Sequence, residues 1–433
     1  MQLLLWTLTC LLVAVLASRQ VFALCCVTLV LWCLVPGVAG HRLTGTQLSL
    51  SGVHPAAILA LAVLGVSLLA VRGELQAALQ ARPTWLWAAG LVVVAATAMG
   101  LAADLSLASL VPVVNQLLGP LSLFFLLGGA LLLRPQRAAA LRRLLLVIAA
   151  VESAVALWES AAGGPLLWLA DYQRQYWFTD GYARSMGTLD HPLTLSLLLS
   201  SSVFLLAPVR SWWTTVVLAL LLAAGLLTTQ SRVGLVVAAI GLGYLLVRSR
   251  MHVVGRLGLA VVAVSAAATA YALGAAADLL ARINDDSGSS SARADAFGYF
   301  GRHWADHVWT GAGLDSSFER AAEVGLATSF ESSLLMYAVD LGLVLTLFYL
   351  GWILSVALRA TGAPLARGAV GAALAALLTA QTFSALSGNT AVPALLWTIL
   401  VLPGFAAALP LTGSGSAAGA ADAPARETAP TRR

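Results

Sequence analysis

The chain contains no lysine, so every one of its 24 basic residues is an arginine. Charge of either sign is scarce: 10% of the residues are charged against 60% hydrophobic, and mean hydropathy is +0.90. Soluble domains carry about a quarter charged residues, which excludes a soluble globular protein. Cysteine is scarce too. Its four copies (Cys10, Cys25, Cys26, Cys33) all fall in the first two apolar segments, so neither a disulfide framework nor a cysteine-ligated metal is expected. The N-terminus, MQLLLWTLTCLLVAVLASRQ, lacks a basic leader region and reads as a first membrane helix rather than a cleaved signal. The basic balance, with a pI near 9.3, is explained by membrane topology better than by nucleic-acid binding.

What is present is a succession of apolar windows of spanning length, at roughly 3–17, 21–39, 55–71, 84–103, 117–133, 144–161, 191–207, 213–228, 233–247, 257–276, 332–358, 369–387 and 392–410. They predict an all-α integral membrane protein of about 12–13 transmembrane helices, with one long outward loop carrying short helices. The membrane domain runs over 1–411 and its large loop over about 277–331. The Gly/Ala/Pro-rich stretch 412–433 is expected to be a disordered tail. Alternate short loops hold arginine almost without acid: Arg19; Arg72 and Arg82; Arg134, Arg137, Arg142 and Arg143; Arg210; Arg248, Arg250 and Arg256; Arg359 and Arg367. The positive-inside rule makes these loops cytoplasmic, so the large loop faces outward from the cytoplasmic membrane.

Arginines on the acid-bearing side are then the anomaly: Arg174, Arg184, Arg232, Arg282, Arg293, Arg302 and Arg320. Arg282 and Arg320 have carboxylates nearby to pair with. Arg232, in TTQSRVGLV, sits between two spans, and either snorkels to headgroups or holds an anion at the membrane surface. Guanidinium suits the second role because its planar fork donates bidentately to phosphate. His303 and His307, in GRHWADHVW, are four apart and share a face if the segment is helical. They read as interfacial residues of an aromatic belt with Trp304 and Trp309, or as a metal pair lacking a third ligand. Glu152 and Glu159 are seven apart in one span and are expected to pair with arginines or line a cavity, as is Asp340. Asn284-Asp285-Asp286 reads as a turn or a cation-binding carboxylate pair. LWLADYQRQYWF, 167–178, suggests an interfacial helix able to stack sugars.

Four stretches, in order, resemble the O-antigen ligase and polymerase superfamily of polytopic bacterial glycosyltransferases. RSMGTLDHPLTLSLLL (184–199) is similar to the family's Arg-x-x-Gly opening of a helix, and LLTTQSRVGLV (226–236) to its Thr-x-Ser-Arg-x-Gly junction. ARADAFGYFGRHWADHVWTGAGLDSSF (292–318) resembles its large-loop arginine followed by Gly-x-Gly. SFESSLLMYAVDLGLVLTLFYLG (329–351) resembles the helix after that loop. There the family often begins with histidine, a place that Glu331 takes here, with Ser332 where asparagine is common.

The resemblance implies a metal-independent glycosyltransferase, with no cofactor, that draws glycans from undecaprenyl-diphosphate donors at the outer face of the membrane. Arg232 and Arg293 would clamp the diphosphate, with Arg184 a third candidate. Glu331 would act as base, or else cap the helix start. Arg302, His303 and His307 are further substrate-binding candidates. The acceptor is a glycan, lipid or protein, and a capsule or exopolysaccharide polymerase is favoured over a ligase. The competing readings are a transporter of a small anion or lipid-linked intermediate, and a non-catalytic scaffold.

Overall fold

The computed structural model describes residues 1–45, 52–70, 73–175, 178, 184–272, 287–326, 329–360 and 366–406. Arg72, Tyr176, Trp177, Arg282, Asn284–Asp286 and the expected tail at 412–433 lie outside them. The principal helices are α1 (Gln2–Leu16), α2 (Val21–Leu34), α3 (Pro55–Leu69), α4 (Gly73–Ala81), α5 (Pro83–Ala103), α6 (Leu107–Leu133), α7 (Arg137–Ala162), α8 (Pro192–Leu205) and α9 (Trp212–Thr229). There follow α10 (Arg232–Arg248), α11 (Val253–Ala272), α12 (Ser287–His303), α13 (Ser316–Glu323), α14 (Ser333–Leu341), α15 (Leu343–Leu358), α16 (Ala369–Ala380) and α17 (Val392–Ala406). No strand occurs among the described residues. The fold is that of an all-α membrane protein.

Every apolar window carries a helix, but few cross in one unbroken piece. Among the described residues three helices, α5, α6 and α9, are long and apolar enough to cross a membrane alone, and up to five spans result if each bent pair counts as one. The pairs are α2 with Gly37–Thr44, bent by 88°, and α3 with α4, bent by 90°. Other apolar helices are shorter. The window at 369–387, for example, stops being helical at Ala380, where Gln381, Thr382, Ser384, Ser387 and Asn389 begin. Those polar residues make a non-helical strap, 381–391, leading into α17.

Helices α6, α8 and α17 are buried nearly all round, whereas α1, α5, α9 and α10 turn Leu4, Leu8, Trp87, Val94, Trp213, Val236 and Ile240 outward. An apolar exterior over an apolar interior is what a lipid environment requires. Close packing depends on glycine at two crossings. A Cβ on Gly128 would overlap the Phe405 ring of α17, and one on Gly129 would overlap the backbone carbonyl of Glu74 in α4.

The two ends of the bundle differ in chemistry. At one end Glu74 pairs with Arg137 at 3.7 Å, Arg82 donates to the Gly404 carbonyl at 3.4 Å, and Arg250 N–H donates to the Ala207 carbonyl at 3.2 Å. At the other end Asp190 accepts from Gly37 and Ala391, and Gln116 donates to Asp315. The first set is built around arginines and the second around buried carboxylates.

Gly129→Ala should drive α4 off α6, because the obstacle is main chain and cannot rotate away. Overpacking of this kind typically costs about 1–3 kcal/mol. The expected outcome is a lowered unfolding temperature of the purified protein by scanning fluorimetry, whereas Gly65→Ala, which meets nothing within 4 Å inside α3, should not lower it, since alanine is the better helix former.

Candidate active site

The carboxylate end is built from non-helical backbone, and side chains of distant segments satisfy that backbone. The segment 184–191 turns inward over α7. Met186 and Gly187 N–H donate to Glu159 at 3.0 and 2.8 Å, and Thr188 N–H donates to Glu152 at 2.8 Å. Glu152 and Glu159 share one face, as their spacing predicts, and among the described residues they accept main-chain N–H groups rather than pairing with arginine. They replace the missing intrahelical acceptors of the loop. Gly187 has φ +64°, and a Cβ there would strike the Glu152 carboxylate. The Arg-x-x-Gly stretch is therefore a loop that descends onto two glutamates.

Arg184, at the head of this loop, donates through Nε to the Thr229 carbonyl at 2.9 Å, while Ser185 N–H donates to Thr228. These carbonyls end α9, where the cation also meets the negative end of the helix dipole. Gln230, in the left-handed region at φ 52°, reverses the chain, and Ser231 then caps α10 by accepting from Gly234 N–H at 3.2 Å. Arg232 is the first residue of α10 and is half-buried. A Cβ on Gly234 would overlap Ser196 Oγ, so glycine lets the first turn of α10 close on α8. Each residue of the Ser-Arg-x-Gly junction thus has a mechanical reason, and the junction sets Arg232 beside the loop that carries Arg184.

From Arg184 the contacts run on toward the large loop. His191 caps α8, its Nδ1 accepting from Leu193 N–H at 3.2 Å, and its ring stacks on Phe383 of the strap at 5.9 Å. One residue away, the Thr382 carbonyl accepts from Arg293 Nη2 at 3.1 Å, and the same nitrogen lies 4.0 Å from Glu331 Oε2. A small second core of Ala296, Tyr299, Ala321, Phe330, Leu335, Met336 and Val339 fixes α12 against α14 and holds Arg293 opposite Glu331. The structure therefore links Arg293 and Glu331 to His191 through Thr382 and Phe383, and Arg184 is near enough to His191 to interact with it electrostatically.

Glu331 itself is not in the helix. The N-cap of α14 is Ser332, and Glu331 precedes it with φ 51°. A capping carboxylate at the helix start is therefore not what is found. Glutamate held left-handed is strained, a state that persists where the surroundings impose it and that clusters at functional sites.

Other candidates are placed elsewhere. Arg302 lies nine residues beyond Arg293 on α12, about half a turn round the helix, and is exposed. His303 and His307 do not share one α-helical face, because α12 ends at His303 and Trp304–His307 is a 3₁₀ turn. His303 stacks on Tyr299 at 4.3 Å and His307 on Phe300 at 6.2 Å. Burial lowers the His307 pKa below the usual imidazole value. No group of three metal-ligating side chains occurs among the described residues. Arg320 pairs with Glu323 at 2.9 Å and donates to Tyr299 Oη, the pairing its neighbours suggested. Among the described residues of the 167–178 stretch, Leu169–Tyr172 is a four-residue helix, with Tyr172 buried and donating to the Leu189 carbonyl at 2.6 Å.

The strap and its anchors have no signal in the sequence. Leu386 N–H donates to Ser333 Oγ, Gly388 N–H to Asp315 and Ala391 N–H to Asp190, at 3.1, 2.8 and 3.1 Å. Asp315 also accepts from Gln116 at 2.7 Å, and Gln116 lies in a π-helical segment of α6, Val114–Leu118. Gly311 lies against the Asp340 backbone so closely that a Cβ would overlap it, and Gly342, at φ +84°, breaks α14 from α15 there. The Gly-Ala-Gly run is thus a strip laid along a broken helix. Asp340 accepts from Ser317 N–H at 2.7 Å.

The class so defined is an all-α membrane protein in which, among the described residues, Arg293 and a strained glutamate, Glu331, stand beside the strap at Thr382. Residues 195–350 match the family model described as O-antigen ligase. The match supports the O-antigen ligase/polymerase superfamily named above from four stretches, and it covers Arg232, Arg293 and Glu331 but not Arg184. No curated protein matches the chain.

Burial raises the Asp315 pKa to about 6, with the Gln116 and Gly388 hydrogen bonds opposing. Because the folded form holds this proton more tightly than an unfolded carboxylate, the stabilising contribution is complete at acid pH and is lost as pH rises through about 6. Asp315→Asn keeps an acceptor and tolerates the left-handed backbone. It should flatten the fall in stability between about pH 4 and 7, as read by unfolding temperature across that range.

Proposed function

We propose that the protein moves a glycan from an undecaprenyl-diphosphate carrier to an acceptor hydroxyl at the outer face of the cytoplasmic membrane. The observation carrying this reading is that Arg293 stands beside both Glu331 and the Thr382 carbonyl, next in the chain to the Phe383 ring that stacks on His191. A cation suited to phosphate and a carboxylate suited to accept a proton are thus neighbours. The acceptor oxygen attacks the anomeric carbon, the bond from that carbon to the diphosphate oxygen breaks, and the hydroxyl proton passes to Glu331. Arg232 and Arg293, aided by Arg184, meet the negative charge gathering on the leaving diphosphate. Fixed guanidinium groups supply this stabilisation without a metal.

The buried anchors serve the same purpose at one remove. A strap tied to Asp190, Asp315 and Ser333 fixes Thr382 and Phe383, and these in turn orient Arg293 and His191. His303 and His307 pack against aromatic rings of α12 and are left as support for that helix rather than substrate contacts. Polymerisation of a capsule or exopolysaccharide is the favoured use, with an acceptor that is another lipid-linked glycan.

Arg232→Ala and Arg293→Ala should each lower transfer by about 10²-fold or more, at matched membrane levels, if each guanidinium contributes a few kcal/mol to the transition state. Lysine should restore only part, since it lacks the bidentate fork. Wild-type transfer in either alanine variant contradicts the clamp. Glu331→Gln should abolish transfer in proteoliposomes loaded with undecaprenyl-diphosphate glycan while leaving donor binding nearly intact. Vectorial movement of the donor without transfer would instead support a transporter.

A further inference from the structure

The arginine end holds a charge arrangement that the transfer reaction does not use. Trp85, in the first turn of α5, is nearly buried at 6% exposure and packs edge-on to Phe405 with ring centroids 5.6 Å apart. Two guanidinium groups share its indole. Arg82 lies 5.1 Å from the ring centroid and Arg359, at the end of α15, lies 5.7 Å away. A Cβ on Gly404 would come within 3.3 Å of the indole, so α17 closes directly behind the ring and fixes it. Arg82 spends Nη1 and Nη2 on the carbonyls of Ala81 and Gly404, at 3.1 and 3.4 Å, while its Nε is buried without a partner.

Neither arginine is in an ion pair among the described residues. Burial, together with the charge of Arg359, lowers the Arg82 pKa from its ordinary value, as expected of like charges facing one another. Two cations close to one indole are drawn to the ring but repel each other. An anion with several acceptor oxygens, set between them, relieves that repulsion. The helices that carry the pair also present apolar surface close by. Leu86 and Trp87 are 41% and 77% exposed on α5, and Leu354 and Leu358 are 40% and 44% exposed on α15. A phosphate at the arginines would therefore have hydrocarbon-facing side chains next to it, and Trp87 marks the headgroup level.

We propose that Arg82 and Arg359, stacked on Trp85, form a binding site for the phosphate of an anionic phospholipid. The phosphate bridges the two guanidinium groups, and its acyl chains lie along Leu86, Trp87, Leu354 and Leu358. The recognition is of phosphate by paired guanidinium, and the neighbouring apolar side chains select a lipid over a free ion.

The test is native mass spectrometry of the purified full-length protein, exposed to equal amounts of phosphatidylglycerol and phosphatidylcholine, with inorganic phosphate in a parallel arm. Phosphatidylglycerol should be retained selectively, and Arg82→Gln and Arg359→Gln should each lower its retention about fivefold, the worth of one arginine near an anionic headgroup. Arg359 is exposed, so its replacement leaves no buried gap and keeps the test independent of folding. Arg134→Gln, an exposed arginine of the same end, should change nothing. Equal retention of the two lipids, an equal loss with Arg134→Gln, or full displacement by inorganic phosphate would overturn the proposal.

Discussion

Buried carboxylates that accept main-chain N–H groups are the constraint on which the rest depends. Inside a bilayer-spanning protein, backbone outside a helix is tolerated only where protein groups satisfy it. Here Glu159 and Glu152 hold 186–188, Asp190 holds Gly37 and Ala391, Asp315 holds Gly388, and Asp340 holds Ser317. Each ties together parts of the chain that are remote in sequence. Without them the carboxylate end would be a set of unpaired loops with no fixed geometry.

These ties set the candidate chemistry. Arg184 is placed by a loop that two glutamates pull down, Arg232 by a serine-capped junction pressed on α8, and Arg293 by a strap anchored to two aspartates and a serine. The large loop contributes Arg293 through α12 and ends on Glu331, but the residues that connect them to Arg184 come from the strap and from the start of α8. The site is assembled from junctions rather than carried by one loop.

The sequence carried the helix positions and the Ser231-Arg232-x-Gly234 junction, because hydropathy period and capping are local properties. It did not carry the strap, because 381–387 continues an apolar window and its anchors at Asp190, Asp315 and Ser333 are remote in the chain. It did not carry the break from α-helix to 3₁₀ turn after His303, which takes His303 and His307 off one helical face, because that break goes with packing on Tyr299 and Phe300. The resemblance of 329–351 to the family's helix puts Glu331 at a helix start. Its left-handed backbone, which takes it out of the helix, has no signature in a run of Ser-Phe-Glu-Ser-Ser.

The central claim is that arginines of separate junctions hold one diphosphate. The most direct measurement is an experimental structure of the protein in a lipid nanodisc with undecaprenyl diphosphate bound. The account predicts phosphate oxygens within hydrogen-bond distance of both Arg232 and Arg293, roughly 2.7–3.2 Å, with Glu331 facing the open side. A diphosphate touching neither arginine, or seated at the opposite end of the bundle, would contradict it.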